Sequence, residues 1–164
     1  MKVPISWLKQ YVDLNVTLQE LSHRLTMAGV EVGETIYLGP WDYCYVGRVE
    51  NIEPHPNADR LRLCTVDLSN EKLLVVCGAP NVSEGQLIAL AKVGAKLVDA
   101  DTNQLKPLKA SRIRGVYSEG MICSSKELGL GEDHTGILIL PDDAPIGLPL
   151  SEYMCDQILD IDVT

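Results

Sequence analysis

Phenylalanine is absent from this 164-residue sequence, and tryptophan occurs only twice. Exposed aromatic side chains are therefore scarce, and core packing accounts for the clustered Trp41, Tyr43 and Tyr45. No stretch approaches the roughly 20 apolar residues that a membrane-crossing helix needs. Nor does the start, Met1-Lys2-Val3-Pro4, lead into an apolar core and a cleavage site, so no signal peptide is expected. A cytoplasmic protein without a membrane partner is the expectation. The five cysteines are odd in number and dispersed, and no two show the C-x-x-C spacing of a zinc or redox site. Cys64, Cys77 and Cys123 lie in apolar runs and are expected to be buried, reduced thiols. His23, His55 and His134 are too far apart in sequence to suggest a metal cluster.

Catalytic signatures are missing as well. The chain has no G-x-x-x-x-G-K-[ST] phosphate loop, no G-x-G-x-x-G, no H-E-x-x-H and no G-x-S-x-G. Asp142-Asp143 falls in a Pro-Asp-Asp-Ala-Pro turn, where solvated carboxylates explain the pair better than a metal site does. No catalytic residue and no metal ligand is expected in this chain.

Positive charge is in short supply too, with a formal net charge of −9. The deficit is local. Residues 1–114 hold 13 basic and 13 acidic side chains, whereas the last 50 residues set ten acids against Lys126 alone. Between residues 88 and 114, Lys92, Lys96, Lys106, Lys109, Arg112 and Arg114 face only Asp99 and Asp101. A basic patch can thus survive on an acidic protein.

The periodicities divide the chain. Residues 1–38 read as a small α/β unit. Ser6 can cap a first short helix, and Thr17-Leu18-Gln19-Glu20 has the form of a capping box ahead of Leu21, Leu25 and Ala28. Gly29 is placed to end that helix, and a strand is expected from Val30 to Leu38. After Gly39-Pro40 the pattern turns to strands: Tyr43–Ile52, Leu61–Leu68, Lys72–Cys77, Gln86–Ala91, Ser111–Val116 and Gly136–Leu140. A short helix is expected at Ser124–Leu128. Short strands with Gly, Pro and Asn corners and few helices suggest a five-stranded OB-fold barrel over residues 39–150. The fold class is thus mainly β with a small α/β N-terminal unit. Residues 151–164 end in an alternating strand that simply stops, and are expected to be the truncated start of a further domain.

If Ser111–Val116 is one strand, Arg112 and Arg114 point to the same face, with Lys109 approaching from the preceding loop. Such a row suits a sugar–phosphate backbone, which Arg contacts in bidentate fashion and Lys as a point charge. A solvated strand face would look the same. The loop His55-Pro56-Asn57-Ala58-Asp59-Arg60-Leu61, stiffened by proline, is expected to present His55, Asn57 and Arg60 at the barrel rim. There His55 can stack on a base or bond a phosphate, although capping its own loop is the commoner role of such a residue.

Four segments in order carry a resemblance: Val46-Gly47-Arg48-Val49, the His55–Leu61 loop, Val76-Cys77-Gly78-Ala79-Pro80-Asn81-Val82, and Ile113-Arg114-Gly115-Val116-Tyr117-Ser118-Glu119-Gly120-Met121. Together they resemble the tRNA-binding OB-fold family. The flanks Met1–Leu8 and Met27–Val32 are similar to the opening of bacterial phenylalanine-tRNA ligase β subunits, and Ile161–Thr164 resembles the point where the next domain of such a subunit begins. The resemblance implies an N-terminal piece of such a subunit, acting in an α2β2 assembly with an α subunit. It also implies an enzyme that uses ATP and Mg²⁺ to join phenylalanine to tRNA, its catalytic site elsewhere. It makes tRNA the partner of this module, with His55, Asn57, Arg60, Lys109, Arg112 and Arg114 as contacts. The alternative is a structural or assembly module with little RNA contact.

Overall fold

The computed structural model describes residues 1–37, 39–154 and 156–163. Leu38, Cys155 and Thr164, on which the end of an expected strand, one thiol and the terminal motif fall, lie outside the described residues. In chain order the elements begin with β1 (Lys2–Pro4), α1 (Ile5–Leu8), α2 (Leu18–Met27) and β2 (Glu31–Tyr37). There follow β3 (Cys44–Pro54), β4 (Arg62–Asp67), β5 (Lys72–Cys77), β6 (Leu87–Lys92), β7 (Lys96–Val98) and β8 (Leu105–Pro107). The last are β9 (Ser111–Ile113), β10 (Val116–Ser118), β11 (Gly120–Ile122), β12 (Ile139–Leu140), α3 (Leu150–Tyr153) and β13 (Gln157–Asp162). Two compact units result, Met1–Pro40 with Cys155–Thr164, and Trp41–Met154.

The first unit is an antiparallel sheet in the order β1-β13-β2. Its central strand is β13, so residues 157–162, expected to open a further domain, here complete the unit that residues 1–37 begin. Leu159 is fully buried in it. Thr17 caps α2 as expected, its Oγ1 accepting the Glu20 N–H at 3.2 Å. The reciprocal half of the capping box differs: the Glu20 carboxylate pairs with Arg24, one turn along the helix. Ser6 does not cap α1 either. It lies inside the helix, where its N–H and hydroxyl bond the Asp156 carboxylate at 3.1 and 2.5 Å.

The second unit is a barrel-like sheet, and its topology follows from one long strand. β3 pairs with β6 through Cys44–Arg48 and with β4 through Arg48–Pro54, with a register shift between Val49 and Asn51. A strand that changes neighbours at a bulge bends, and the sheet coils around it. The path β11-β6-β3-β4-β5 results, with β12 adding to β6. The two ends of that path meet, because the Glu119 N–H donates to the Leu74 carbonyl at 2.9 Å and the Val76 N–H to Ser118 Oγ at 3.1 Å. This is the five-stranded, partly open barrel of the OB type.

Val49, Cys64, Val66, Leu68, Val75, Ile88 and Leu90 fill the interior. Cys44, Cys64, Cys77 and Cys123 are buried free thiols. Burial, with Asp42 nearby, pushes the Cys44 thiol up to about 11, as it pushes up Cys123, so both behave as small apolar groups. Asn81 ties the strand-poor segment before β12 to the barrel: its Oδ1 accepts the Ile137 N–H at 2.9 Å and its Nδ2 donates to the Ile137 carbonyl at 3.0 Å. That segment is strand only at Ile139–Leu140, shorter than the expected Gly136–Leu140. The expected helix at Ser124–Leu128 is a turn, stapled by the Ser124 N–H to Glu127 Oε2 at 2.6 Å.

Gly47 marks a tight point of the interior, since a β carbon there would stand 2.6 Å from Val66 Cγ1 and 3.2 Å from Leu68 Cδ2. Overpacking a filled core typically costs about 1–3 kcal/mol. Gly47→Ala is therefore expected to lower the urea midpoint of unfolding, followed by far-ultraviolet circular dichroism. A midpoint equal to that of the parent protein would show that the barrel relaxes around the methyl group.

Candidate nucleic-acid interface

The segment expected as one strand from Ser111 to Val116 is a hairpin. β9 stops at Ile113 and β10 starts at Val116, with Arg114 (φ +51°) and Gly115 (φ +89°) between them. Two successive residues with positive φ make the tight turn whose twist matches a hairpin. Arg112 and Arg114 therefore do not alternate along a strand: Arg112 stands on β9 and Arg114 at the tip. Left-handed backbone is unfavourable for an arginine, and the surroundings hold it there.

The holder is the loop that follows β3. His55 is 6% exposed, and both ring nitrogens are engaged. Nδ1 accepts the Asn57 N–H at 3.0 Å, which leaves the hydrogen on Nε2, and Nε2 donates to the Ile113 carbonyl at 2.9 Å. Asn57 Nδ2 donates to the Arg114 carbonyl at 2.9 Å. The loop is closed at its base by the His55 N–H on the Leu61 carbonyl, 3.2 Å away. His55, expected at the rim as a stacking or phosphate-binding group, is thus a buried clamp on the hairpin. Of its two candidate roles, the loop-capping one matches this geometry.

Arg60 and Arg114 line one shallow groove together with Asn57, Ala58, Asp59 and Leu61. Around this turn the structure brings together His55, Asn57, Arg60 and Arg114, with Arg112 two residues away on β9. Lys109 lines a different groove, with Lys106, Leu108 and Asp99. Ion pairing sorts the basic row further. Lys92 pairs with Glu71 and stands 5.1 Å over the Tyr45 ring, and Lys106 Nζ lies 3.1 Å from Asp99 Oδ2. The Thr102 N–H, followed by Lys106, holds the half-buried Asp99 carboxyl down at about 2. Among the described residues, Arg60, Lys109, Arg112 and Arg114 have no carboxylate within 4.0 Å. They remain available to an external anion.

Sequence reasoning passed over Tyr117, which is 47% exposed and lies opposite Arg112 in the hairpin register. The signal for it was Gly115, a turn residue inside a supposed strand. An Arg-Gly turn is less conspicuous than Asn-Gly, so the run reads through as one strand.

Removing the clamp should loosen the hairpin and spare the barrel. His55→Ala removes the second donor of the Ile113 carbonyl, which keeps only its hairpin partner Val116, a loss of about 0.5–1.5 kcal/mol. Amide hydrogen exchange is expected to accelerate across residues 111–118 while β3, β4 and β6 keep their protection. Uniform acceleration across all strands would instead make His55 a determinant of the whole barrel.

Residues 44–149 match the family described as "Putative tRNA binding domain". Over its full length the chain is 45% identical to the phenylalanine–tRNA ligase β subunits of Dehalococcoides mccartyi and Syntrophus aciditrophicus, and the match covers 20% of each. The corresponding subunit of Ralstonia nicotianae is also 45% identical, with 21% of it covered. The chain thus spans about a fifth of the length of these relatives. Among solved structures, a MetRS related protein from Pyrococcus horikoshii is similar with a TM-score of 0.46 and 19% identity, over 84% of this chain and 97% of that one.

Proposed function

The chain belongs to the tRNA-binding-domain family, and from that membership we propose that its barrel holds the sugar–phosphate backbone of tRNA through Arg60, Arg112 and Arg114. Lys109 extends the contact from its neighbouring groove. The observation that carries this reading is the set of exposed guanidinium groups around one braced turn, without carboxylate partners among the described residues. Arginine forks suit phosphate oxygens, and a braced turn fixes their spacing before any ligand arrives. His55 and Asn57 serve the site by holding that turn.

The wider setting is part of the same proposal. The chain acts as an auxiliary module of a phenylalanine–tRNA ligase β subunit, in the cytoplasm, within an assembly that includes α subunits. ATP and Mg²⁺ serve the whole enzyme. Among the described residues no three His, Cys, Asp or Glu side chains group as metal ligands, and no step of the ligase reaction is assigned to this chain. No helix of the described residues is long and apolar enough to cross a membrane.

A second reading, an assembly module, draws on one observation. Trp7 and Tyr11 of the first unit are 49% and 72% exposed and stack edge to face with ring centres 5.6 Å apart. An exposed aromatic pair of this kind suits a protein contact.

Titration of the protein with bulk tRNA at several salt concentrations tests the first reading. Arg112→Ala with Arg114→Ala is expected to weaken binding alike for all tRNA species and to lower the slope of log K against log salt by about 1–2. An unchanged slope would remove these arginines from the interface. Unaltered tRNA affinity in that variant, together with loss of subunit association on Trp7→Ala, would favour the assembly reading.

A further inference from the structure

In a hairpin closed by a two-residue turn, the pair next to the turn, here Ile113 and Val116, exchanges backbone hydrogen bonds. The next pair, Arg112 and Tyr117, does not, and its side chains stand side by side on one face, with β carbons about 5 Å apart. Both residues are exposed. The cation over an aromatic ring among the described residues is Lys92 over Tyr45, so Arg112 leaves the Tyr117 face open. No aromatic neighbour covers it either, since the aromatic pair among the described residues is Trp7 with Tyr11. The nearby acid Glu119 is committed elsewhere, its Oε2 accepting the Leu74 N–H at 2.6 Å. An open tyrosine ring beside an unpaired arginine, on a hairpin braced from behind by His55 and Asn57, is a stacking surface with a phosphate contact attached.

We propose that Tyr117 is a base-stacking residue, and that the β9–β10 hairpin takes an unpaired nucleotide of RNA, with Tyr117 on the base and Arg112 on an adjoining phosphate. This rests on the backbone-binding reading above and narrows it to single-stranded segments. Bases inside an A-form duplex are already stacked and offer no face to a side chain. The hairpin thereby separates two kinds of contact: the arginines bind any strand, and Tyr117 selects one that is unpaired.

Fluorescence anisotropy tests this with an unstructured oligoribonucleotide of about 12 nucleotides, within the range one OB fold spans, and with a blunt RNA duplex of equal length. The protein, Tyr117→Ala, Tyr117→Phe and the Arg112→Ala/Arg114→Ala double variant are compared. Tyr117→Ala should lower single-strand affinity on the order of 5- to 100-fold with an unchanged salt slope, as expected for loss of one stacked base. Tyr117→Phe should retain the affinity, because the ring and not the hydroxyl makes the contact. The duplex should bind more weakly and be indifferent to Tyr117→Ala. If Tyr117→Ala binds the single strand like the parent while the arginine variant does not, the stacking role is overturned and backbone binding stands. If Tyr117→Ala weakens duplex and single strand equally, selection for unpaired nucleotides is overturned. If neither variant alters affinity, or no RNA binds at low salt, both readings fall.

Discussion

The double pairing of β3 is the constraint from which the barrel and the braced hairpin beside it both follow. One strand of eleven residues serves β6 with its first half and β4 with its second, and a bulge between Val49 and Asn51 makes the change of partner possible. A flat sheet would leave β5 and β11 far apart. Coiled about β3, the sheet brings them into hydrogen-bonding distance, and both edge strands are covered. The bend also demands close packing on the concave side, where Gly47 faces Val66, Leu68 and Ile88. A side chain at that position would press outward at the point where the curvature is needed. Because β3 ends at Pro54, the next residue is already His55. The strand that shapes the barrel therefore also delivers the clamp to the hairpin.

The clamp explains how an arginine can occupy left-handed backbone. Asn57 holds the Arg114 carbonyl and His55 adds a second bond to the Ile113 carbonyl, so the unfavourable φ of Arg114 is offset by bonds on both sides of the turn. In the proposed contact with RNA the consequence is entropic. A guanidinium on a braced turn keeps its freedom of rotamer but not of backbone, so less order has to be imposed when a phosphate arrives. A histidine at the surface would have offered one weak contact. Buried, it positions two arginines.

How much of this could be read from residues alone varies with how local the cause is. The strands β3 to β6 follow from alternating apolar residues bounded by turn residues, and β5 ran over the same six residues in sequence and structure. The helix α2 was equally clear from Thr17 and Gly29, because capping acts within a single turn. By contrast, β13 was recognisable as a strand but not as a partner of β1 and β2, since pairing across most of the chain leaves no local trace. At the candidate site, the basic residues and the His55–Leu61 loop could be singled out in sequence, and which of them come together could not. Whether His55 faces solvent or the Ile113 carbonyl depends on where a segment 58 residues away lies. The Arg114-Gly115 turn failed for another reason: arginine has no intrinsic preference for such a turn, and the tertiary contact from Asn57 overrides that.

Acidity is the feature that argues against a role in RNA binding, and hydrogen bonds and ion pairs account for much of it. Of the ten acids in the last 50 residues, Glu119 and Glu127 accept backbone N–H groups of Leu74 and Ser124, and Asp133 takes the N–H and hydroxyl of Thr135. Asp156 receives Ser6, Asp160 the amino terminus, and Glu132 stands 3.5 Å from Lys126. Glu119, Glu127, Asp133 and Asp156 thus serve as acceptors for N–H groups that turns and sheet edges leave without backbone partners. The Thr135 hydroxyl and N–H hold the Asp133 carboxyl below the usual carboxylate range, as expected of an anion that is locally compensated. A carboxylate satisfied by N–H dipoles at hydrogen-bond distance projects a weaker field than a bare one. The formal charge of the chain therefore overstates the repulsion that a phosphate would meet at Arg60, Arg112 and Arg114. Net charge and local charge part company here because six of these ten acids are held by donors or cations of the fold, while among the described residues these arginines have no acidic partners.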